Sequence, residues 1–318
     1  MLPIHFAPLQ GYTEDIYRRS HHRICGGVAR YYTPFIRTEH GEVRRKDLFD
    51  MMPAHNEGVP LALQVIAADA KEFRTVLRSI DEQWLATDEQ RQAAATAPLH
   101  IDLNMGCPFP LQVRHGRGAG LLLQPERVKE ICAVMAERPD LRFSVKMRLG
   151  VDDRDDWRAI MPILNDTPLE HVTIHPRRAS QQYGGDTDMQ SFEDVLRAVK
   201  HPLVYNGDLV TVQQIATLEN TYPSLQGVMI GRGLLARPTL AQEYATGTTL
   251  TDAEVIRVLL QLHDAYHKNY ARRIPGEAQL LNKMRTFWDY TEPTLGRKAW
   301  KKIHKAGSMR NYLAAIRV

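Results

Sequence analysis

Short apolar runs recur along the first 231 residues, at 4–7, 28–32, 61–65, 99–103, 143–147, 171–174, 203–205 and 227–230. Each is too short for a helix and rich in the residues that favour strands, so the pattern predicts eight buried strands. Stretches with helical spacing lie between many of them, at 13–24, 70–80, 125–137, 155–164, 191–199 and 212–220. Alternation of strand and helix implies a parallel sheet. Eight strands in about 230 residues match a closed (β/α)8 TIM barrel better than an open doubly wound sheet, which has fewer strands.

The pattern changes beyond residue 245. No further strand is predicted, and Thr251 followed by Glu254 has the spacing of a capping box that opens a helix running to about Arg272. Helical segments at about 276–290, 296–305 and 309–316 complete a small helical bundle. The chain is therefore read as a barrel domain, 1–245, followed by a helical domain, 246–318. It contains no internal repeat and no low-complexity tract.

Composition narrows the class. An apolar fraction of 43% and a charged fraction of 25% are those of a globular protein. No run reaches the ~18 apolar residues of a membrane span, and residues 1–10 lack the marks of a secretory signal, so a cytoplasmic location is expected. Three cysteines, Cys25, Cys107 and Cys132, are an odd number without a CxxC spacing, which argues against a disulfide framework and a structural zinc site. The net charge of +4 is unevenly shared. Residues 246–318 hold 13 Lys and Arg against 6 Asp and Glu, leaving 28 against 31 for residues 1–245. A basic tail on a near-neutral body suits a polyanionic partner, nucleic acid ahead of membrane; the bland alternative is a solvated helical face.

Polar and glycine-rich clusters follow the strand runs, and in a TIM barrel these ends build the catalytic face. Asn104-Met105-Gly106-Cys107-Pro108 puts a thiol in a loop at that face, where it can donate a proton or, if activated, attack as a nucleophile. Cys25 and Cys132 lie in apolar helical patterns and read as inert core thiols. In Val145-Lys146-Met147-Arg148 the two cations point the same way, and a lysine aimed into a barrel must meet an anion or shift its pKa. Asn206-Gly207-Asp208 and Gly231-Arg232-Gly233 follow the last two strands, the recurrent phosphate site of this architecture. Gly116-Arg117-Gly118-Ala119-Gly120 has the wrong spacing and context for a dinucleotide loop. A phosphate site without that fingerprint suggests FMN, PLP or a sugar phosphate.

Taken in order, these motifs resemble the tRNA-dihydrouridine synthase family over most of the chain. Ala7-Pro8-Leu9-Gln10-Gly11 is similar to its opening strand and flavin-contacting turn, with Leu9-Gln10 a departure. Gln64 sits where the family's glutamine meets the isoalloxazine, and Asp102 to Pro108 matches the family's D-x-N-x-G-C-P signature. Gly118-Ala119-Gly120 and Lys146-Met147-Arg148 follow in the expected order. His175-Pro176-Arg177-Arg178 keeps the family's histidine and arginine but departs at Pro176 and Arg178.

The resemblance implies reduction of the carbon 5–carbon 6 bond of uridines in tRNA by FMN, with NADPH as hydride donor and Cys107 as general acid. It assigns Pro8, Leu9, Gln10, Gln64, Lys146, His175, Asn206, Gly207, Asp208, Gly231 and Arg232 to the cofactor. It assigns Asn104 and Arg177 to the nucleotide, and Lys301 and Lys302 in the basic tail to tRNA. No metal, membrane or obligate protein partner is expected, and the chain is read as a monomer. Two rivals remain open at this point: a flavin-dependent barrel reductase of a small molecule, and a non-catalytic RNA-binding protein.

Overall fold

The computed structural model describes residues 1–317. Eight parallel strands close on themselves: β1 (Ile4–Phe6), β2 (Arg30–Tyr32), β3 (Leu61–Val65), β4 (His100–Met105), β5 (Arg142–Gly150), β6 (His171–Arg178), β7 (Leu203–Asn206) and β8 (Gly227–Ile230). β1 pairs with both β8 and β2, with His5 opposite Met229 on one side and Arg30 on the other, which closes the (β/α)8 TIM barrel.

Strand periodicity sorts the side chains into two sets. Phe143, Val145, Met147 and Leu149 of β5, like Ile101, Leu103 and Met105 of β4, belong to the large apolar core shared with the surrounding helices. The inward set makes only a small separate apolar cluster, Ala7, Tyr32, Ala62, Val204 and Met229. Further inward positions are polar, among them Gln64 on β3, His100, Asp102 and Asn104 on β4, Ser144, Lys146 and Arg148 on β5, and His171, Thr173, His175 and Arg177 on β6. The barrel interior is thus a polar column, and its stability requires that each buried group find a partner.

The strand runs were found where the apolar pattern put them, but β4, β5 and β6 extend further toward the mouth than expected. Arg148, His175 and Arg177 are therefore strand residues, not loop residues. Pieces that the pattern did not place include a two-stranded hairpin of Thr38–Glu39 with Glu42–Val43, and helices Arg45–Met51, Asp88–Thr96 and Leu240–Thr246.

A last barrel-side helix, Leu240–Thr246, ends on left-handed Gly247. The next helix, Asp252–Arg273, opens with the Thr251/Glu254 capping box and is followed by Glu277–Thr286, Glu292–Leu295, Arg297–His304 and Met309–Ile316. This tail is bolted to the turn after β1. Lys283 donates to the Gly11 carbonyl at 2.8 Å and to Glu14 at 2.7 Å, Arg273 forks onto Asp15 at 2.8 and 2.7 Å, and the Tyr12 hydroxyl donates to Asp289 at 2.8 Å. Burial opposes the Glu14 charge, yet Lys283 and Lys46 outweigh it and hold the carboxyl at about 2. Among the described residues no helix is long and apolar enough to cross a membrane.

Candidate active site at the barrel mouth

A cavity of about 1000 Å³ opens where the strands end. Its wall gathers residues from the whole length of the barrel: Pro8, Leu9 and Gln10 after β1, Gln64 of β3, Asn104 and Cys107 around the end of β4, Lys146 of β5, His175 of β6, Asn206, Gly207 and Asp208 after β7, and Gly231 and Arg232 after β8. Of the residues expected at the cofactor, catalytic thiol and nucleotide, Arg177 alone is absent from that lining. Lys301 and Lys302 lie exposed on helix Arg297–His304, away from the cavity wall.

The thiol loop is held from beneath. Asn104 Oδ1 accepts from the backbone N–H of Gly106 at 3.0 Å and of Cys107 at 2.8 Å, while its amide donates to Gln64 Oε1 at 2.8 Å. Gln64 in turn donates to Asp102 at 2.7 Å, and the Ser144 hydroxyl donates to the other Asp102 oxygen at 2.6 Å. This column fixes both amide orientations, because each carbonyl oxygen has a donor and each NH2 an acceptor. Each of the two amides keeps one N–H for whatever fills the cavity. Asn104, which the resemblance assigns to the nucleotide, commits its carbonyl oxygen to the Cys107 loop.

Arg148, 1% exposed, closes the other side: it donates to the Gly106 carbonyl at 3.0 Å and the Arg178 carbonyl at 2.9 Å. Beneath the loop, Gly118 has φ +58, and a Cβ there would sit 2.8 Å from the Cys107 Cβ. The glycine-rich segment set aside as a dinucleotide loop is therefore a support for the thiol.

Burial pushes the Cys107 thiol up, against smaller opposing effects of a Phe109 backbone contact and of Arg148 and Lys146. The group stays protonated near neutrality, which suits a proton donor and not a thiolate nucleophile. Lys146 moves the other way. Burial, then repulsion by Arg148, lowers it to about 8, and among the described residues no carboxylate lies within ion-pair distance of it. A cation in a cavity without a counter-ion is a seat for an anionic group. Burial also keeps His175 neutral, assisted by the neighbouring Lys146 and Arg148.

Arg177 is 1% exposed and contacts Gly185 O at 3.2 Å, His175 Nε2 at 3.1 Å and the Asp208 carboxylate, so it braces the β6–β7 loops. Arg232 reaches the other Asp208 oxygen at 2.6 Å and remains at the cavity edge. The Asn206 amide donates to Met229 O at 2.7 Å and ties β7 to β8, leaving its backbone and Gly207 as the surface toward the cavity.

Aromatic residues that the motifs did not flag surround the mouth: Tyr12, Phe35, Phe109, Tyr183 and Tyr290. Tyr183 lies between two guanidinium groups, Arg148 at 5.6 Å and Arg232 at 5.4 Å from its ring centre. Phe109, 58% exposed, is an apolar ring facing solvent two residues from Cys107. The signal in the sequence was the aromatic residue two positions after Cys107. Tyr290 comes from the helical tail, so both parts of the chain share this rim.

A family model described as dihydrouridine synthase matches residues 5–313. A tRNA-dihydrouridine(16) synthase of Neisseria meningitidis serogroup A is 27% identical over 263 residues, covering 79% of this chain and 74% of that protein. A probable tRNA-dihydrouridine synthase of Helicobacter pylori is 34% identical over 166 residues, or 51% of this chain and 50% of that one. The match thus spans about half of the second relative's length. Among solved structures, histamine dehydrogenase from Rhizobium sp. 4-9 aligns with a TM-score of 0.51 at 10% identity over 77% of this chain and 45% of that one, a likeness of fold alone.

Proposed function

The chain belongs to the dihydrouridine synthase family, and from that premise we propose that it reduces the carbon 5–carbon 6 bond of uridines in tRNA, using FMN that NADPH has reduced. The observation that carries this reading is the juxtaposition at one cavity of a protonated thiol, Cys107, a cation without a direct ion-pair partner, Lys146, and two half-used amides, Gln64 and Asn104.

The residues present fit a flavin mononucleotide. Lys146 offers charge to an anionic ring edge, the spare N–H of Gln64 offers a donor, and Gly207, Gly231 and Arg232 offer backbone and guanidinium to a phosphate. Pro8, Leu9 and Gln10 supply backbone on the opposite side. When bound, the flavin supplies hydride to uracil carbon 6.

The chain's own residues do the rest. As negative charge builds on the uracil, Cys107 Sγ–H gives its proton to carbon 5, and burial keeps that proton in place until then. Asn104 and Arg148 hold the loop so that the sulfur keeps its position. Lys146 offsets developing negative charge from below. The uridine must leave the folded tRNA to enter a cavity this deep, and the rim aromatics offer faces for an extruded base and its neighbours. The helical domain, taken as residues 246–318 with Lys301 and Lys302, holds the tRNA backbone. We place this monomeric activity in the cytoplasm, where tRNA is modified.

The test is mass spectrometry of unmodified tRNA after incubation with NADPH and the FMN-loaded protein. Dihydrouridine is expected with the wild type. Cys107→Ala is expected to lower its formation about 10²- to 10⁴-fold while NADPH-driven flavin reduction continues. A Cys107→Ala protein with full activity would remove the thiol as the acid, and a wild type that leaves tRNA unchanged would favour a small-molecule reductase.

A further inference from the structure

The end of the barrel opposite the cavity holds a second cluster of chemistry that the reductase reading does not use. His100 opens β4, His171 opens β6, and Glu170 immediately precedes it; ligand-capable atoms of the three lie within 4.8 Å of one another. Both histidines are at least nine-tenths buried, His100 being 5% and His171 4% exposed. The Glu170 carboxylate is 30% exposed, which leaves a path from solvent.

The hydrogen-bond column leading to the thiol loop fixes the state of His100. The single Ser144 hydroxyl proton goes to Asp102 Oδ1 at 2.6 Å, so Ser144 Oγ must accept at the contact it makes with His100 Nε2, 2.7 Å away. His100 therefore carries its proton on Nε2, and its Nδ1 presents a bare lone pair. That Nδ1 is buried without a partner, and so is Glu170 Oε2, an acceptor that faces it at 3.5 Å. Two lone pairs aimed at each other in a buried pocket repel unless an electrophile lies between them.

His171 completes the set: its Nε2 lies 3.3 Å from the Tyr32 hydroxyl, and its Nδ1 lies 4.0 Å from Glu170 Oε1. Hydroxyls behind both rings supply the outer contacts that orient metal-binding histidines. Arg30 donates to Glu170 Oε1 at 2.6 Å and leaves Oε2 available; Arg142 stands 3.9 Å from that oxygen.

We propose that His100 Nδ1, His171 Nδ1 and Glu170 Oε2 bind one divalent cation of the zinc class, with water in the remaining position, at the closed end of the barrel. Two imidazoles and one carboxylate suit zinc above calcium or magnesium, which prefer all-oxygen sites. Bringing the three donors to metal distance requires a contraction of about an ångström, within reach of side-chain adjustment. The cation ties β4 to β6 across β5. It lies away from the reacting atoms, so its role is structural, and the cysteine-based argument against zinc does not reach it because no thiol is involved.

The experiment uses the full-length flavin-loaded protein, stripped with a chelator and titrated with Co²⁺, then with Zn²⁺ in competition. One equivalent of Co²⁺ is expected to give visible absorption bands of tetrahedral nitrogen and oxygen ligation, without a near-ultraviolet thiolate band. Zn²⁺ is expected to displace it and to raise the melting temperature. Glu170→Gln and His171→Gln are each expected to weaken binding about 100-fold or more and to abolish the Zn²⁺-dependent rise, with the flavin spectrum unchanged. Absence of a Co²⁺ spectrum in the wild type, a thiolate band, or undiminished binding by Glu170→Gln would each overturn the proposal.

Discussion

Lys146 carries the most informative charge in the molecule, because among the described residues no carboxylate pairs with it directly and Asp102 offsets it only from a distance. Its ordinary value of 10.5 is lowered to about 8 by burial and by Arg148, so the free protein loses this proton as pH rises through about 8. An anionic ligand favours the protonated form. FMN affinity is therefore expected to be flat below pH 8 and to fall above it, by up to about tenfold per pH unit, read by fluorescence titration of the apoprotein. Lys146→Met is expected to bind more weakly and to lose that dependence; an unchanged pH profile in the variant would detach Lys146 from the cofactor. Cys107, Lys146 and Gln64 were legible in the sequence because each stands in a recognisable local string. The partners of Asn104 and Arg177 were not. Asn104 reaches Gln64 across a strand pair, and Arg177 reaches Asp208 across the loops, contacts that exist only once register is set.

At the scale of elements, the short 3-10 helix Gly118–Leu123 does what a regular α-helix or strand could not. Its first residue adopts a left-handed φ of +58 directly under Cys107, and Ala119 N–H donates to the Cys107 carbonyl at 3.1 Å. Gly118→Ala combines a strained backbone with a Cβ 2.8 Å from the Cys107 Cβ, so the thiol loop must move. Dihydrouridine formation is expected to fall about 100-fold with flavin reduction by NADPH retained. Equal loss of both activities would mean that the substitution disrupts the barrel rather than the loop. The eight strands were readable because their outward faces are apolar, but β5 and β6 looked short because their mouth ends carry inward Arg148, His175 and Arg177. Helix Asp88–Thr96 was invisible for a related reason: it has no buried residue, so it has no apolar stripe to detect.

For the whole molecule, the basic tail and the reactive cavity act on one substrate only if they are held in fixed relation. The bolts are Lys283 to Gly11 and Glu14, Arg273 to Asp15, and Tyr12 to Asp289, all at the turn after β1. Lys301 and Lys302 lie exposed on the tail without a carboxylate partner among the described residues, so they remain available to phosphates. Replacing both with Ala is expected to weaken tRNA binding and to lower the salt dependence of log affinity by about one unit per lysine, leaving flavin reduction alone. An unaltered salt slope would make this face merely solvated. The charge split was plain in the sequence; the docking that gives it a direction was not, since it joins residues more than 250 positions apart.

The most direct test of the central claim is an anaerobic one. The FMN-loaded protein is reduced with NADPH, unmodified folded tRNA is added, and the visible flavin absorbance is followed. Rapid return of the oxidised flavin spectrum, with dihydrouridine formed in proportion, is the predicted result. A reduced flavin that folded tRNA leaves untouched would contradict the account.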